Sequence, residues 1–333
     1  MIFKLLWRLI VFGAGALTVL GALGAIAGLL GVVWPALDLF NHVQLALLPL
    51  TFVGLLLGLA VLRRQPLRGI VVSLAATGFL ASVTVTAPEF VATMAPRPAP
   101  LADRPVIRLM TFNIYANNRQ LSRVIEPVIA TDPDILLVQE YWLDFRPELD
   151  GLFEAIFPYS IRCRGGQRAF IALFSKTPFR VAPGHACTDL PGEGGRVARI
   201  SVRLTDSGGR VFTVMTTHLD WPYPSERQML QMAELSQAAS AVPGPLLIAG
   251  DFNSTPFSQA LRTFTRENGL TRETRLLPTW PAEFFHGSPV DLPLFLPLDQ
   301  VMVRGGIWVL DVERSASSGG SDHFPVVVDF SVD

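Results

Sequence analysis

Charge is missing from three long stretches near the start of this 333-residue chain: Leu9–Val33, Val43–Leu62 and Gly69–Ala87 contain no Asp, Glu, Lys or Arg. Each is about as long as the ~20 apolar residues that a helix needs to cross a bilayer. One buried hairpin in a soluble core would explain two such runs at most, and a cleaved signal peptide only the first. Basic residues are absent from Trp34–His42, where Asp38 stands alone, whereas Lys4 and Arg8 precede the first run and Arg63, Arg64 and Arg68 follow the second. The positive-inside rule then places the N-terminus and the second loop in the cytoplasm. Three crossings put everything after about residue 95 outside it, in a periplasmic or extracellular location.

The rest of the chain lacks a basic excess. Residues 1–100 hold six Lys/Arg against two Asp/Glu, leaving 21 against 26 in the remainder. That balance supplies no broad electrostatic footprint for nucleic acid, which draws most of its non-specific affinity from phosphate neutralisation. Cysteine is scarce too. Cys163 and Cys187 are the only two, and in an exported segment they either form one disulfide or remain separate buried thiols. No internal repeat or low-complexity segment interrupts residues 106–333.

What is present in the N-terminal third is small residues. Gly13, Ala14, Gly15, Gly21, Gly24 and Gly28 are the kind that let membrane helices approach closely. The chain accordingly divides into a three-helix anchor over 1–94 (spans at about 9–33, 43–62 and 69–87), a Pro/Ala spacer over 95–104 and one domain over 105–333. In that domain strands are expected at 106–113, 134–139, 169–175, 197–204, 211–217, 246–249, 300–303, 308–313 and 326–330. Helices are expected at 121–130, 149–156, 225–241 and 258–267. Asp206-Ser207-Gly208-Gly209 marks a hairpin turn. Strands with interspersed helices, several strands joined by hairpins, indicate packed sheets covered by helices, an α+β class.

Polar residues gather where these strands end: Asn113, Glu140, His218, Asp251 with Asn253, Asp299, and Asp322 with His323. Each has an ordinary alternative. Asn113 can cap a turn, Asp322 can be a loop residue ahead of Pro325, and His218 can be a satisfied structural histidine. Six such endings, all with side chains fit for metal binding or proton transfer, point instead to one site for cleaving a phosphate ester.

The ordered set Gln139-Glu140, Gly250-Asp251-Phe252-Asn253 and Ser321-Asp322-His323 resembles the endonuclease/exonuclease/phosphatase superfamily, of deoxyribonuclease-I-like fold. The resemblance implies a four-layer α/β/β/α sandwich with the site at one end. It also implies roles. Glu140, Asn113 and Asp322 would hold Mg²⁺, with Mn²⁺ as the alternative ion. Asp251 and Asn253 would handle the attacking water and a phosphate oxygen. His323 would be the catalytic histidine with Asp299 as its partner. His218 would contact a non-bridging oxygen or the leaving group, and Arg168 the substrate phosphate. Two departures stand out: Gln300 follows Asp299 where relatives often carry an aromatic residue or His, which bears on the Asp299 role, and Arg168-Ala169-Phe170 stands where some nucleases have Tyr and Glu, which bears on the substrate.

Three spans ahead of such a domain also resemble bacterial membrane proteins of the teicoplanin-resistance type, which implies a cell-envelope substrate such as a lipid-linked phosphate or pyrophosphate. The leading expectation is a membrane-anchored, Mg²⁺-dependent phosphoesterase acting outside the cytoplasm. The alternatives are an exported nuclease acting on DNA and a non-catalytic scaffold.

Overall fold

The computed structural model describes residues 2–60, 66–142, 147–188, 196–282 and 293–333. Arg63, Arg64 and the end of the second expected span lie outside these. The chain forms two compact units: Met1–Met94 with the short segments Tyr223–Glu226 and Pro256–Arg262, and Ala95–Pro222 with Arg227–Thr255 and Thr263–Asp333.

In the first unit, α1 (Ile2–Leu29), α2 (Gln44–Ala60) and α3 (Arg68–Met94) are joined in part by a 3₁₀ helix over Pro35–Val43. Three segments, Ile2–Val32, Pro35–Ala60 and Arg68–Met94, are helical, long and apolar enough to cross a membrane. Leu9, Phe12, Leu20 and Leu56 are exposed on them, as lipid-facing side chains would be. Small residues set the packing: a Cβ on Gly78 would lie 2.5 Å from the Ala22 Cα, so α3 meets α1 backbone to backbone. Polar side chains within the unit are linked. Ser82 Oγ donates to Gln44 Oε1 (2.8 Å), Gln44 Nε2 to Asn41 Oδ1 (3.1 Å), and Asn41 Nδ2 to both Gly28 O (2.9 Å) and Asp38 Oδ1 (2.7 Å). Asp38 also accepts from Ser258 Oγ and the Gln259 N–H.

The second unit contains two six-stranded sheets. The strands are β1 (Ile107–Asn113), β2 (Ile135–Gln139), β3 (Tyr159–Cys163), β4 (Ile171–Ser175), β5 (Arg180–Val181), β6 (Arg199–Thr205), β7 (Val211–His218), β8 (Leu246–Asp251), β9 (Thr271–Arg272), β10 (Asp299–Arg304), β11 (Ile307–Arg314) and β12 (Val326–Val332). Their orders are β11-β12-β1-β2-β4-β3 and β5-β6-β7-β8-β10-β9. Helices α4 (Leu121–Thr131) and α5 (Pro147–Ile156) cover the first sheet, and α6 (Ser225–Ser240) and α7 (Gln259–Glu267) follow β7 and β8.

Side-chain parity builds the layers. Along β1, Leu109 faces the core between the sheets, together with Leu137 of β2, Val214 of β7, Ala249 of β8, Val301 of β10 and Val328 of β12. The alternate residues Met110, Phe112, Leu136 and Val138 pack outward against Val124, Leu149 and Phe153 of α4 and α5. Fully burying one such leucine contributes on the order of 1.5–3 kcal/mol.

The Pro/Ala segment makes contacts within the second unit. Arg97 Nη1 pairs with Glu273 Oε2 (2.8 Å), and Arg275 Nη1 donates to Ala95 O (2.8 Å).

Candidate active site

The same parity that fills the inter-sheet core also builds the site. Counting by twos along each strand from a core residue leads from Leu109 to Asn113, from Leu137 to Gln139, from Val214 to His218, from Ala249 to Asp251, and back from Val301 to Asp299. Strands β1 and β2 run parallel, as do β7 and β8, while β12 runs antiparallel to β1 and β10 to β8. The C-terminal ends of β1, β2, β7 and β8 therefore share one rim with the N-terminal ends of β10 and β12. Pairing fixes the details: Asp251 lies opposite both His218 and Asp299.

Asn113 Nδ2 bridges two carboxylates, Glu140 Oε1 at 3.1 Å and Asp251 Oδ2 at 3.0 Å, while its Oδ1 accepts the Tyr115 N–H at 3.0 Å. Glu140 Oε2 accepts the Ala116 N–H at 2.7 Å. His323 Nδ1 lies 2.8 Å from Asp299 Oδ2, and its Nε2 lies 3.8 Å from Asp251 Oδ2. His218 Nε2 is 3.5 Å from Asp251 Oδ2 and 4.0 Å from Glu140 Oε1. Asn253 donates its backbone N–H to Asp251 Oδ1 (2.8 Å) and Nδ2 to Leu219 O (2.8 Å). Asp322 Oδ2 faces Trp280 Nε1 at 3.4 Å. Arg168 sits to one side, its Nε 3.0 Å from Asp220 Oδ1 and 3.2 Å from Leu219 O. Glu140, Asn113, Asp251, Asn253, His218, Asp299 and His323 thus form one connected cluster, with Asp322 and Arg168 at its margins.

The backbone is held in unusual conformations here. Tyr115, Glu140, Arg168, Phe170 and Asn253 have φ of 60°, 57°, 53°, 62° and 47°, a region that costs non-glycine residues on the order of 1–3 kcal/mol each. Surrounding structure must hold them there, which fixes the direction of the Glu140 and Asn253 side chains. Gly250 meets a different demand: a Cβ on it would strike the Thr217 carbonyl of the paired strand.

Burial divides the electrostatics. It pushes Asp251 up to about 7 despite the opposing charge of His323. It also presses His218 down to about 3, helped by Arg168. For His323 burial opposes the charge, yet Asp299 and Asp251 overcome it and raise the group to about 10. Burial likewise acts against ionised Glu140, but its pKa is lowered. An attraction to charged His218 contributes little to that near neutral pH, where His218 is uncharged; the Ala116 and Asn113 N–H donors are the secure cause. Burial raises Asp322.

Three buried oxygens of the cluster, Asn253 Oδ1, Asp299 Oδ1 and Asp322 Oδ1, have no hydrogen-bond partner among the described residues. Each such atom costs on the order of 1–3 kcal/mol, so the site has unmet demand for a cation or donor. Asp251, Asp299 and His323 offer ligand atoms within 4.8 Å of one another. An ion bound through His323 Nδ1 would displace its 2.8 Å contact with Asp299, and one bound through Nε2 would take a nitrogen ligand. Glu140 together with Asp322 Oδ1 presents oxygen only and requires no such break, which suits a hard divalent cation better.

Supporting residues escaped the sequence reading. Gln228 Nε2 donates to Asp220 O, Phe252 O and Asn253 O, and its Oε1 accepts from Ser254 Oγ. Gln231 reaches Asp220 Oδ2, and Gln300 reaches Ser254 O and Pro297 O. A lone glutamine on a helix carries no local pattern. Only the docking of α6 beside the Asn253 loop gives Gln228 its place.

Residues 110–323 match the Endonuclease/Exonuclease/phosphatase family, and the chain belongs to it. Among solved structures, endonuclease/exonuclease/phosphatase proteins from Bacteroides vulgatus and Beutenbergia cavernae share the fold. The first has a TM-score of 0.54 at 20% identity, covering 69% of this chain and all of that one. The second has a TM-score of 0.52 at 21% identity, covering 69% and 72%. A UPF0294 protein of Vibrio parahaemolyticus is 27% identical over 245 residues, 70% of this chain and 80% of its own length.

Proposed function

We propose that this chain is a membrane-anchored, divalent-cation-dependent phosphoesterase, with residues 1–94 as anchor and 105–333 as the catalytic part. The carrying observation is the rim itself, where Asn113 bridges Glu140 to Asp251 and His323 lies beside Asp251. Glu140 and Asp322 would hold Mg²⁺, whose charge offsets the negative oxygens of a phosphate ester when bound. Asn113 already donates its amide nitrogen to both carboxylates, so it suits holding them at their spacing better than ligating the ion.

Asp251, raised to about 7, is matched to taking a proton from water near neutral pH. The water oxygen bonds to phosphorus as the bond to the leaving oxygen breaks, and the proton taken by Asp251 passes back through solvent to that oxygen. His323, charged and aligned by Asp299, stabilises the negative charge that develops on the phosphoryl oxygens. Neutral His218 and the Asn253 amide orient those oxygens through hydrogen bonds, and Arg168 adds a cation at the edge.

The catalytic part is placed outside the cytoplasm, with an envelope lipid phosphate as substrate. The Cys163–Cys187 disulfide supports an oxidising compartment, and anchoring raises local concentration for a lipid far more than for a dissolved ester.

The test uses full-length protein in detergent micelles, with Mg²⁺ and a panel of lipid phosphates, a sphingomyelin-like phosphodiester, bis(p-nitrophenyl) phosphate and plasmid DNA. Turnover of an ester that EDTA and Asp251→Asn abolish is expected. Absence of turnover on every substrate would remove the proposal, and DNA nicking alone would replace the lipid with a nuclease substrate. A reporter active only in the cytoplasm, fused after Asp333, should be silent.

A further inference from the structure

Beside the rim lies a cavity of about 310 Å³ whose walls include Glu140, His218, Trp142, Phe170, Arg164 and Arg168, within the ~300–1,000 Å³ range of small-ligand sites. Glu140 and His218 belong to the reacting centre, so the cavity is where the part of the substrate beyond the scissile bond would lie. Its other walls are selective. Trp142 and Phe170 stack at 3.9 Å with planes 15° apart, making one flat aromatic slab. Arg164 is exposed and makes no hydrogen bond or ion pair with any described residue. Arg168 is anchored through Nε by Leu219 O and Asp220, and its terminal nitrogens donate to no described residue.

The loop carrying Arg164, Arg168 and Phe170 is built rather than loose. The Cys163–Cys187 disulfide closes it just before Arg164. Gly165 N–H donates to Thr188 O (2.7 Å), Gln167 N–H to Arg196 O (2.8 Å) and Phe170 N–H to Cys163 O (2.8 Å). Two guanidiniums line one small cavity, Arg164 without a described partner and Arg168 with donors beyond those held by Asp220 and Leu219 O. An anion between them uses these donors and their forked geometry. The phosphoryl group under attack already has His323, His218 and Asn253, so Arg164 lies beyond what a single phosphate requires.

We infer that this cavity is a second phosphoryl subsite, with Arg164 as its specificity-determining residue, and that the substrate is a diphosphate. This rests on the phosphoesterase reading for the reacting centre but is tested apart from it. The slab of Trp142 carries whatever apolar or planar group follows the second phosphate. Two sources share this chemistry, a lipid diphosphate and a soluble nucleoside diphosphate.

Calorimetric binding of methylenediphosphonate and of inorganic phosphate to the full-length protein in micelles measures the subsite without turnover. Mg²⁺ is kept at a fixed excess, so that chelation in solution is the same for every variant. The ratio of the two affinities should fall by about tenfold in Arg164→Gln, the loss of one charge-assisted contact, and Arg164→Lys should recover part of it. An unchanged ratio in Arg164→Gln would overturn the proposal. Geranylgeranyl diphosphate displacing methylenediphosphonate identifies the lipid source, displacement by ADP identifies the soluble one, and displacement by neither overturns the diphosphate assignment. Arg164-dependent diphosphonate binding in a protein that hydrolyses nothing would leave the subsite standing and remove the hydrolase. Hydrolysis of bis(p-nitrophenyl) phosphate with no affinity ratio to lose would do the reverse.

Discussion

Polar side chains are buried in both units, and although Arg68 Nε in the helical unit also lacks a hydrogen-bond partner among the described residues, one chain there contrasts with the rim. In the helical unit Ser82, Gln44, Asn41 and Asp38 form a chain in which every link is a hydrogen bond of 3.1 Å or less. At the sandwich rim Asn253 Oδ1, Asp299 Oδ1 and Asp322 Oδ1 are left unmatched, on a backbone strained at Glu140 and Asn253. A buried polar group that is fully matched specifies packing, and one left unmatched is held ready for something not part of the chain. The first kind should therefore register in stability and the second in activity.

The largest effect that would break this contrast is on turnover. Asp251→Asn should lower kcat by about 10²- to 10⁴-fold, with a thermal midpoint at or above that of the parent protein, because burial acts against its charge. His323→Gln should lower kcat similarly but also lower the midpoint, because the pair with Asp299 is lost. A lowered midpoint with retained activity would make the rim structural. Next is the disulfide. Cys163→Ser should cost about 3 kcal/mol on the chain-entropy account, read by denaturant unfolding, and should weaken diphosphonate binding more than phosphate binding.

In the helical unit Asn41→Ala should cost on the order of 1–3 kcal/mol with unchanged turnover per folded molecule, measured as thermal stability in micelles beside specific activity. A pH effect sharpens the same comparison. His323 is raised from 6.5 to about 10, so its contribution to stability is complete below about pH 6.5 and is lost as pH rises through 10. The shifts of Asp251 and His218 act at pH 7 and below. Between pH 7 and 10 the parent should lose stability more steeply than His323→Gln, and parallel slopes would show that the His323–Asp299 pair carries no charge.

Much of this was legible in the chain. The alternation along β1, β2, β7, β8 and β10 declares which residues face the inter-sheet core, and the same period of two carries the polar endings to one side. The uncharged runs declare the apolar helices. β3 was missed because its residues are mostly half-exposed, which blurs the alternation, while β5 and β9 have two residues each and carry no period. The Cys163–Cys187 pairing stayed open because 24 residues of separation do not set the 5.3 Å between their Cα atoms; the bridges of Gly165 to Thr188 and of Ala186 to Arg199 do. Gln228 and Trp280 were invisible for a similar reason, since what each braces is distant in sequence.

Where the cation sits decides the account most directly. Mn²⁺ titrated into the full-length protein in micelles and followed by electron paramagnetic resonance should show a saturable site that Glu140→Gln and Asp322→Asn abolish and Asp299→Asn retains. Binding lost in Asp299→Asn but indifferent to Glu140→Gln would place the ion among Asp251, Asp299 and His323, and contradict the division of the rim into an ion-holding side and a proton-handling side.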